Sequence, residues 1–334
     1  MASSARHPAK RLAIFNHKGG VGKTTLTVNI AAAVASLGKK VLLVDSDPQC
    51  NLTSYLVEES VVDDLLDNSD GQTGRTVWSS VKPLVEATGE LREIEPFQLS
   101  KPNLFLLPGD IRLSEFEVEL NQFWADCFQR RLKGFRGTMA LSALVDHVCR
   151  TAGIDAVFFD SGPNIGALNR VILLDCDYFI VPAACDVFSV RALKTLGHTL
   201  ANWIQDWKTV SALAPDGVYL MPGNPDLLGY IPQRFKVYRG TATAAQSTYI
   251  SKIERHIGSD VVGPLRAVNS KLAAGSIAQL RLGMIKDFGV LVTPSQEEGV
   301  PIAEAHAGNP AQREEARQAF LAIAKKIASR LPGK

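Results

Sequence analysis

The sequence predicts an α/β protein: a doubly wound, mostly parallel sheet with helices on both faces. Three observations carry that expectation. Short apolar runs recur along the chain and are continuous rather than alternating, as in strands covered on both faces. The first two, RLAIFN (11–16) and KVLLVDSD (40–47), are separated by one helix-forming stretch. A strand, a crossover helix and a second strand usually make a parallel pair. Several runs also end in glycine or aspartate, at the strand ends where open α/β sheets place their ligands.

The elements follow in order. MASSARHPAKR lacks the apolar core of a signal peptide, so residues 1–10 are expected to be a disordered lead. RLAIFN reads as a buried strand, and KTTLTVNIAAAVASLG (23–38) as an Ala-rich helix stopped by Gly38. KVLLVDSD is the second buried strand. NLFLLPGD (103–110), AVFFDSGP (156–163), YFIVPA (178–183) and GVYLMPG (217–223) are further expected strands. Residues 58–103, 121–138 and 223–250 are less regular and are read as insertions within one domain spanning 11–334. The last segment aligns Ala316, Phe320, Ile323, Ala324, Ile327 and Leu331 on one helical face, which predicts a helix docked on the sheet.

Bulk composition bounds the function. The chain has 334 residues, 46% hydrophobic and 21% charged, and no apolar run of membrane-spanning length. Cys50, Cys127, Cys149, Cys176 and Cys185 are scattered without a CxxC pair, which suits reduced thiols in a cytoplasm. Net charge is +2, but its distribution is uneven. Residues 51–100 carry ten acidic and three basic side chains, whereas residues 230–290 carry nine basic and three acidic ones. The latter include Arg234, Lys236, Arg239, Lys252, Arg255, Arg266, Lys271 and Arg281, candidate contacts for a polyanion such as DNA, or simply a solvated surface.

The most informative stretch is FNHKGGVGKTT (15–25), placed between the first strand and its helix. The common phosphate loop reads G-x-x-x-x-G-K-[ST]. Gly22, Lys23 and Thr24 fit its end, but His17 stands where the leading glycine belongs. The loop instead fits K-G-G-x-G-K-T-T. Gly19, Gly20 and Gly22 let backbone N–H groups, with that of Val21 among them, converge on phosphate oxygens, and the helix adds its positive end. Lys23 is placed to neutralise the β- and γ-phosphates, Thr24 to ligate Mg²⁺, and Thr25 to reach the α-phosphate.

This loop resembles the deviant Walker A motif of the ParA/MinD family of ATPases. The resemblance implies a P-loop NTPase-like topology, ATP with Mg²⁺, and a dimer that sandwiches the nucleotide. Lys18 matches the signature lysine, which in that family reaches the partner's nucleotide. DSDPQCN (45–51) resembles the switch I segment, with Cys50 in place of the usual glycine. The match implies that Asp47 positions or activates the attacking water and that Asp45 lies near Mg²⁺. DSGP (160–163) resembles the Walker B and switch II segment, which assigns Asp160 to Mg²⁺. The resemblance extends to about residue 210 and then thins. Asn224 lies near the place of the family's adenine-reading asparagine.

Three functions stay open at this point, beside a metabolic enzyme on the same loop, such as a dethiobiotin synthetase-like ligase, for which the sequence offers no second substrate site. The first is a partition or positioning ATPase that dimerises on ATP, binds DNA non-specifically and is stimulated by a ParB-like partner. The second is a nucleotide-gated module of a protein complex with no DNA role, its partner docking near residues 223–250. A MinD-like membrane switch would use residues 312–332, but Glu314 and Glu315 suit an anionic bilayer poorly. Only about ten residues precede the first strand, so operator-specific repression through an added helix-turn-helix is not expected.

Overall fold

The computed structural model describes residues 6–235, 237–238, 241–242 and 244–331. In chain order the elements are β1 (Lys10–Ile14), α1 (Lys23–Ser36), β2 (Val41–Asp45), α2 (Asn51–Leu56), α3 (Glu59–Asp67), α4 (Val77–Val85), β3 (Phe97–Gln98) and β4 (Leu104–Leu107). Then come α5 (Leu113–Phe128), α6 (Leu132–Thr138), α7 (Ala140–Ala152), β5 (Ala156–Asp160), α8 (Ala167–Asp175), β6 (Tyr178–Ala184) and α9 (Val187–Ser211). The chain continues through β7 (Asp226–Phe235), β8 (Val237–Tyr238), β9 (Thr241–Ala242), α10 (Ala244–His256), α11 (Gly263–Val268), α12 (Ile277–Leu280), β10 (Ile285–Lys286), α13 (Gly289–Glu297) and α14 (Pro310–Ala328).

The main sheet has the order β10-β7-β6-β1-β5-β2-β4-β3, and only the β3–β4 pair is antiparallel. This is the doubly wound, P-loop NTPase-like architecture the sequence predicts. Alternate residues of each strand face opposite layers. Leu12, Ile14, Val41, Leu43 and Phe158 join the core with α1 and α14. Ala13, Leu42, Val44, Val157 and Phe159 join the core with α5, α7, α8 and α9. The C-terminal helix docks as expected: Ala316, Phe320, Ile323, Ala324 and Ile327 are all buried.

Three expectations need correction: the disordered lead, the GVYLMPG strand and the 223–250 insertion. The lead is ordered from residue 6: Arg6 pairs with Asp177, the His7 N–H donates to Asp146, and Lys10 opens β1. GVYLMPG is not a strand. The strand beside β6 is Asp226–Phe235, whose Leu227, Tyr230 and Ile231 are buried, so 223–250 is not an insertion as a whole. Its Gly229 admits the Leu280 carbonyl, which would lie 2.2 Å from a Cβ there. Residues 121–138 fall in α5 and α6, packed through Phe123 and Phe135. Residues 58–103 carry α3, α4 and β3.

The two ends of the sheet differ in chemistry. At the amino end, Arg11 is wholly buried and pairs with Asp146 and Asp175. Ser142 accepts from Arg11 and donates to Asp175, closing the network. At the carboxyl end, β1, β2 and β5 deliver the phosphate loop, Asp45 and Asp160 side by side.

Candidate nucleotide site

The phosphate loop is shaped by its own side chains before any ligand is considered. Asn16, fully buried at the end of β1, donates to the Pro182 carbonyl at 2.8 Å and accepts the Lys18 N–H at 3.0 Å. Gly20 and Gly22 have φ of 69° and 73°, the left-handed region that a side chain resists. Gly22 is the N-cap of α1 and offers no side-chain cap, so the first N–H groups of the helix are left for a ligand.

Lys23 is almost buried, and its ammonium lies 3.4 Å from the Lys18 carbonyl. Burial lowers its pKa, while Asp160 and Asp47 pull the other way. A cation held with so little water is poised for an anion. The Thr24 hydroxyl donates to Asp160 Oδ2 at 2.7 Å, which brings together two of the three residues assigned to Mg²⁺. Ser46 fixes the strand end, donating to the Asp160 carbonyl from its N–H at 3.0 Å and its hydroxyl at 2.6 Å. Burial pushes the Asp160 carboxyl up to about 8, and neighbouring Asp45 adds to the rise.

These features fit Mg²⁺ with a nucleotide. Asp160 is a buried carboxylate whose charge wants a cation, beside a hydroxyl ligand and an anion cradle. Mg²⁺ characteristically binds one or two carboxylates together with substrate phosphates. The buried Ser161 hydroxyl, next to Asp160, has no hydrogen-bond partner and is available to the same ligand set.

Asp45 is bonded within the chain. Its Oδ2 accepts from the Thr53 N–H at 2.8 Å and the Thr53 hydroxyl at 2.6 Å, and its Oδ1 accepts from the Asp47 N–H at 3.3 Å. With its oxygens so occupied, it ties β2 to α2, and in register it stands beside Asp160. Burial raises its pKa to about 6. Asp47 sits under switch II: a Cβ on Gly162 would lie 3.2 Å from its Oδ1. Cys50 takes φ of 52°, the strained conformation that explains why glycine is usual at this turn.

Lys18 is not free. Its ammonium contacts both oxygens of Asp186 at 2.8 and 2.9 Å and the Ser189 hydroxyl at 3.1 Å. Asp186 is also the N-cap of α9, accepting from the Ser189 N–H at 2.8 Å. His17 Nε2 lies 3.2 Å from the Thr195 hydroxyl, further along α9. The loop is therefore tied to α9 at two places. Sequence reading missed Asp186 and Ser189, although D-x-x-S before a long helical pattern is an N-cap signal.

Other assignments separate. Asn224 precedes β7 at the amino end of the sheet, bonded to the Pro222 carbonyl, so it lies away from the loop. The misreading of GVYLMPG as a strand put it at the wrong end. Arg234 contacts the phosphate loop, donating to the Gly20 carbonyl at 2.6 Å. Arg266 bonds the Ala273 and Gly275 carbonyls, and Arg281 pairs with Glu254. Lys252, Arg255 and Lys271 are exposed. Lys236 and Arg239 lie outside the described residues.

Comparison with known proteins agrees with this geometry. Residues 9–211 match the family described as AAA domain. The chain is 32% identical over 197 residues to the sporulation initiation inhibitor protein Soj of Bacillus subtilis, covering 57% of this chain and 64% of Soj. It therefore spans less than two thirds of that relative's length. This chain belongs to the ParA/MinD family of P-loop ATPases.

Within that family the fold match runs nearly end to end. A crystal structure of a Corynebacterium diphtheriae protein is 25% identical, with a TM-score of 0.71 over 95% of this chain and 97% of the other. A point variant of Cyanothece McdA in complex with ATP shares the fold at 19% identity, with a TM-score of 0.62 over 96% of each chain. Among the described residues no helix is long and apolar enough to cross a membrane.

Proposed function

We propose that this chain is a Mg²⁺- and ATP-dependent switch ATPase of the partition or positioning type. It dimerises in the ATP state, binds DNA without sequence preference, and hydrolyses ATP slowly until a ParB-like or other protein partner stimulates it. The observation that carries the reading is the pair of lysines on one loop. Lys23 is nearly buried at the helix N-terminus, while Lys18 is partly exposed and held only by Asp186 and Ser189. A ligand cradle needs one of them. The second is placed for a nucleotide bound by another copy, where it offsets charge developing on the phosphates as an arginine finger does.

The remaining roles follow from the geometry. The glycines of the loop present N–H groups to the β-phosphate, and Lys23 neutralises it. Bound Mg²⁺ would neutralise charge on the β- and γ-oxygens, held by Thr24 directly and by Asp160. Asp47 orients the attacking water. Lys252, Arg255 and Lys271 are the described members of the basic set left to meet DNA. The protein acts within the cytoplasm, at the nucleoid when DNA is bound.

A second reading has its own observation. Arg234, Arg266 and Arg281 all bond within the chain, which thins the basic surface on which DNA binding depends. On that reading the switch gates a protein complex and DNA plays no part. DNA binding is measured with ADP, ATP and a non-hydrolysable analogue across a salt series. ATP-dependent binding with a steep salt slope supports the partition reading. No binding in any nucleotide state favours the second.

A further inference from the structure

The carboxyl end of β7 meets the phosphate loop through two residues that the family reading leaves unassigned. Arg234 has φ of 56°, a left-handed conformation that is strained for a non-glycine residue. Such strain concentrates at ligand clamps and switch regions. Its guanidinium donates to the Gly20 carbonyl at 2.6 Å. Gly20 is one of the two loop residues in the left-handed region, so its peptide orientation decides which way a carbonyl and the following N–H point.

Gln233 is the second. It is 3% exposed, and its Nε2 has no hydrogen-bond partner. Its backbone is pinned on both sides: its carbonyl accepts from the Cys185 N–H, and it registers with Ala184 of β6 and Ile285 of β10. Its side-chain amide lies over Gly22, with Oε1 3.1 Å and Nε2 3.4 Å from a Cβ built there. A buried amide donor without a partner is destabilising. Here it stands beside the uncapped N-terminus of α1, where an anion is expected.

We propose that Gln233 and Arg234 are positioning residues for the phosphate chain of the nucleotide. Arg234 holds the Gly20 carbonyl outward, so that the loop N–H groups stay turned toward the anion. Gln233 blocks the space over Gly22 and supplies one more N–H donor to a phosphate oxygen. Carbonyl oxygens turned inward would repel the same anion, so a cation gripping one from outside favours the binding geometry before ligand arrives. This inference rests on the reading of the loop as an ATP site.

The test is titration calorimetry on the full chain with ATP, ADP and inorganic tripolyphosphate, each with Mg²⁺. The variants are R234A, R234G and Q233A, and thermal melting is recorded for each. R234A and Q233A are expected to weaken all three ligands by about tenfold. R234G removes the guanidinium while relieving the left-handed strain, so it should lose the same affinity with a melting temperature at or above wild type. That split separates positioning from folding. Wild-type affinity in R234A and R234G overturns the proposal. So does a loss confined to ATP and ADP with tripolyphosphate unaffected, because the contact would then be to the nucleoside. If the wild-type chain binds no ATP, the ATPase reading itself falls. If it binds ATP and the variants bind equally well, only this inference falls.

Discussion

Releasing Lys18 from Asp186 should promote dimerisation. The contact is a bifurcated ion pair at 2.8 and 2.9 Å, with the two side chains 25% and 40% exposed. At that exposure the pair is worth about 0.5–1 kcal/mol. A lysine that reaches across to a second copy must first give up this contact, and a symmetric dimer gives it up twice. Asp186→Asn removes the charge but keeps an acceptor for the Ser189 N–H, so the start of α9 stays capped. The expected result is ATP-dependent dimerisation tighter by about 1–2 kcal/mol, or roughly 5- to 30-fold. Sedimentation velocity with a non-hydrolysable ATP analogue reads this directly. Lys18→Ala should abolish the gain in the double variant. The Asp186 carboxyl is held below its usual range: burial opposes this, but the bonds from Lys18 and Ser189 outweigh it. A carboxylate so depressed contributes its stabilisation above the ordinary carboxylate range and loses it as pH falls through the folded value, so the latch is fully closed at neutral pH. An Asp186→Asn protein that melts like wild type and dimerises no more tightly would refute the reasoning.

Other outcomes follow from the same coordinates. Asp160 is raised to about 8, so between the ordinary carboxylate pKa and that value the folded chain binds more protons than the unfolded one. Stability of the nucleotide-free protein should therefore fall as pH rises from about 4 to 8, and Mg²⁺ with ATP should remove that dependence in thermal melts. Thr24→Ala deletes a Mg²⁺ ligand and the 2.7 Å bond to Asp160, so Mg²⁺ titrations should show at least about tenfold weaker nucleotide binding. Arg11→Met strands Asp146 and Asp175 in the core, which should cost about 3–5 kcal/mol. For 334 residues, at about 2 cal/mol/K each, that lowers the melting temperature by roughly 4–7 °C.

The first half of the fold was legible because its strands are short apolar runs ending in punctuation. RLAIFN, KVLLVDSD and AVFFDSGP each became central strands, and each ends in residues that face the site. Legibility failed where the strand carries polar residues inside. β7 reads DLLGYIPQRF, with Gly229 for a close backbone contact, Pro232, and Gln233 buried at the site, so its apolar signal is weaker than that of GVYLMPG nearby. That one displacement sent the search for a base reader to Asn224, at the wrong end of the sheet. The same blind spot placed Arg234 on a DNA surface. Lys23 and Thr24 were named from the spacing of the loop and Asp160 from the resemblance of its segment, and the structure brings Thr24 and Asp160 into contact. Asp186 was not readable, because its partner Lys18 is distant in sequence and only the parallel β1–β6 pair brings them together.

Buried polar atoms without partners occur at both ends of the sheet, but their surroundings differ. At the amino end, both terminal nitrogens of the Arg11 guanidinium are paired among Asp146, Asp175 and Ser142, and the orphans are the Nε atoms of Arg6 and Arg11, each on a guanidinium already matched by carboxylates. At the carboxyl end, Ser161 Oγ, Gln233 Nε2 and His17 Nδ1 are buried without partners. All three belong to the phosphate loop or the strand ends beside it, and two are donors or potential donors near an uncapped helix N-terminus. Add the raised carboxyl of Asp160 and the depressed ammonium of Lys23, and the unliganded site carries a local cost that an anion with a divalent cation would remove. The same loop holds Lys18 against Asp186 and His17 against Thr195 of α9. The candidate nucleotide site and the contacts of α9 therefore share the residues of one loop.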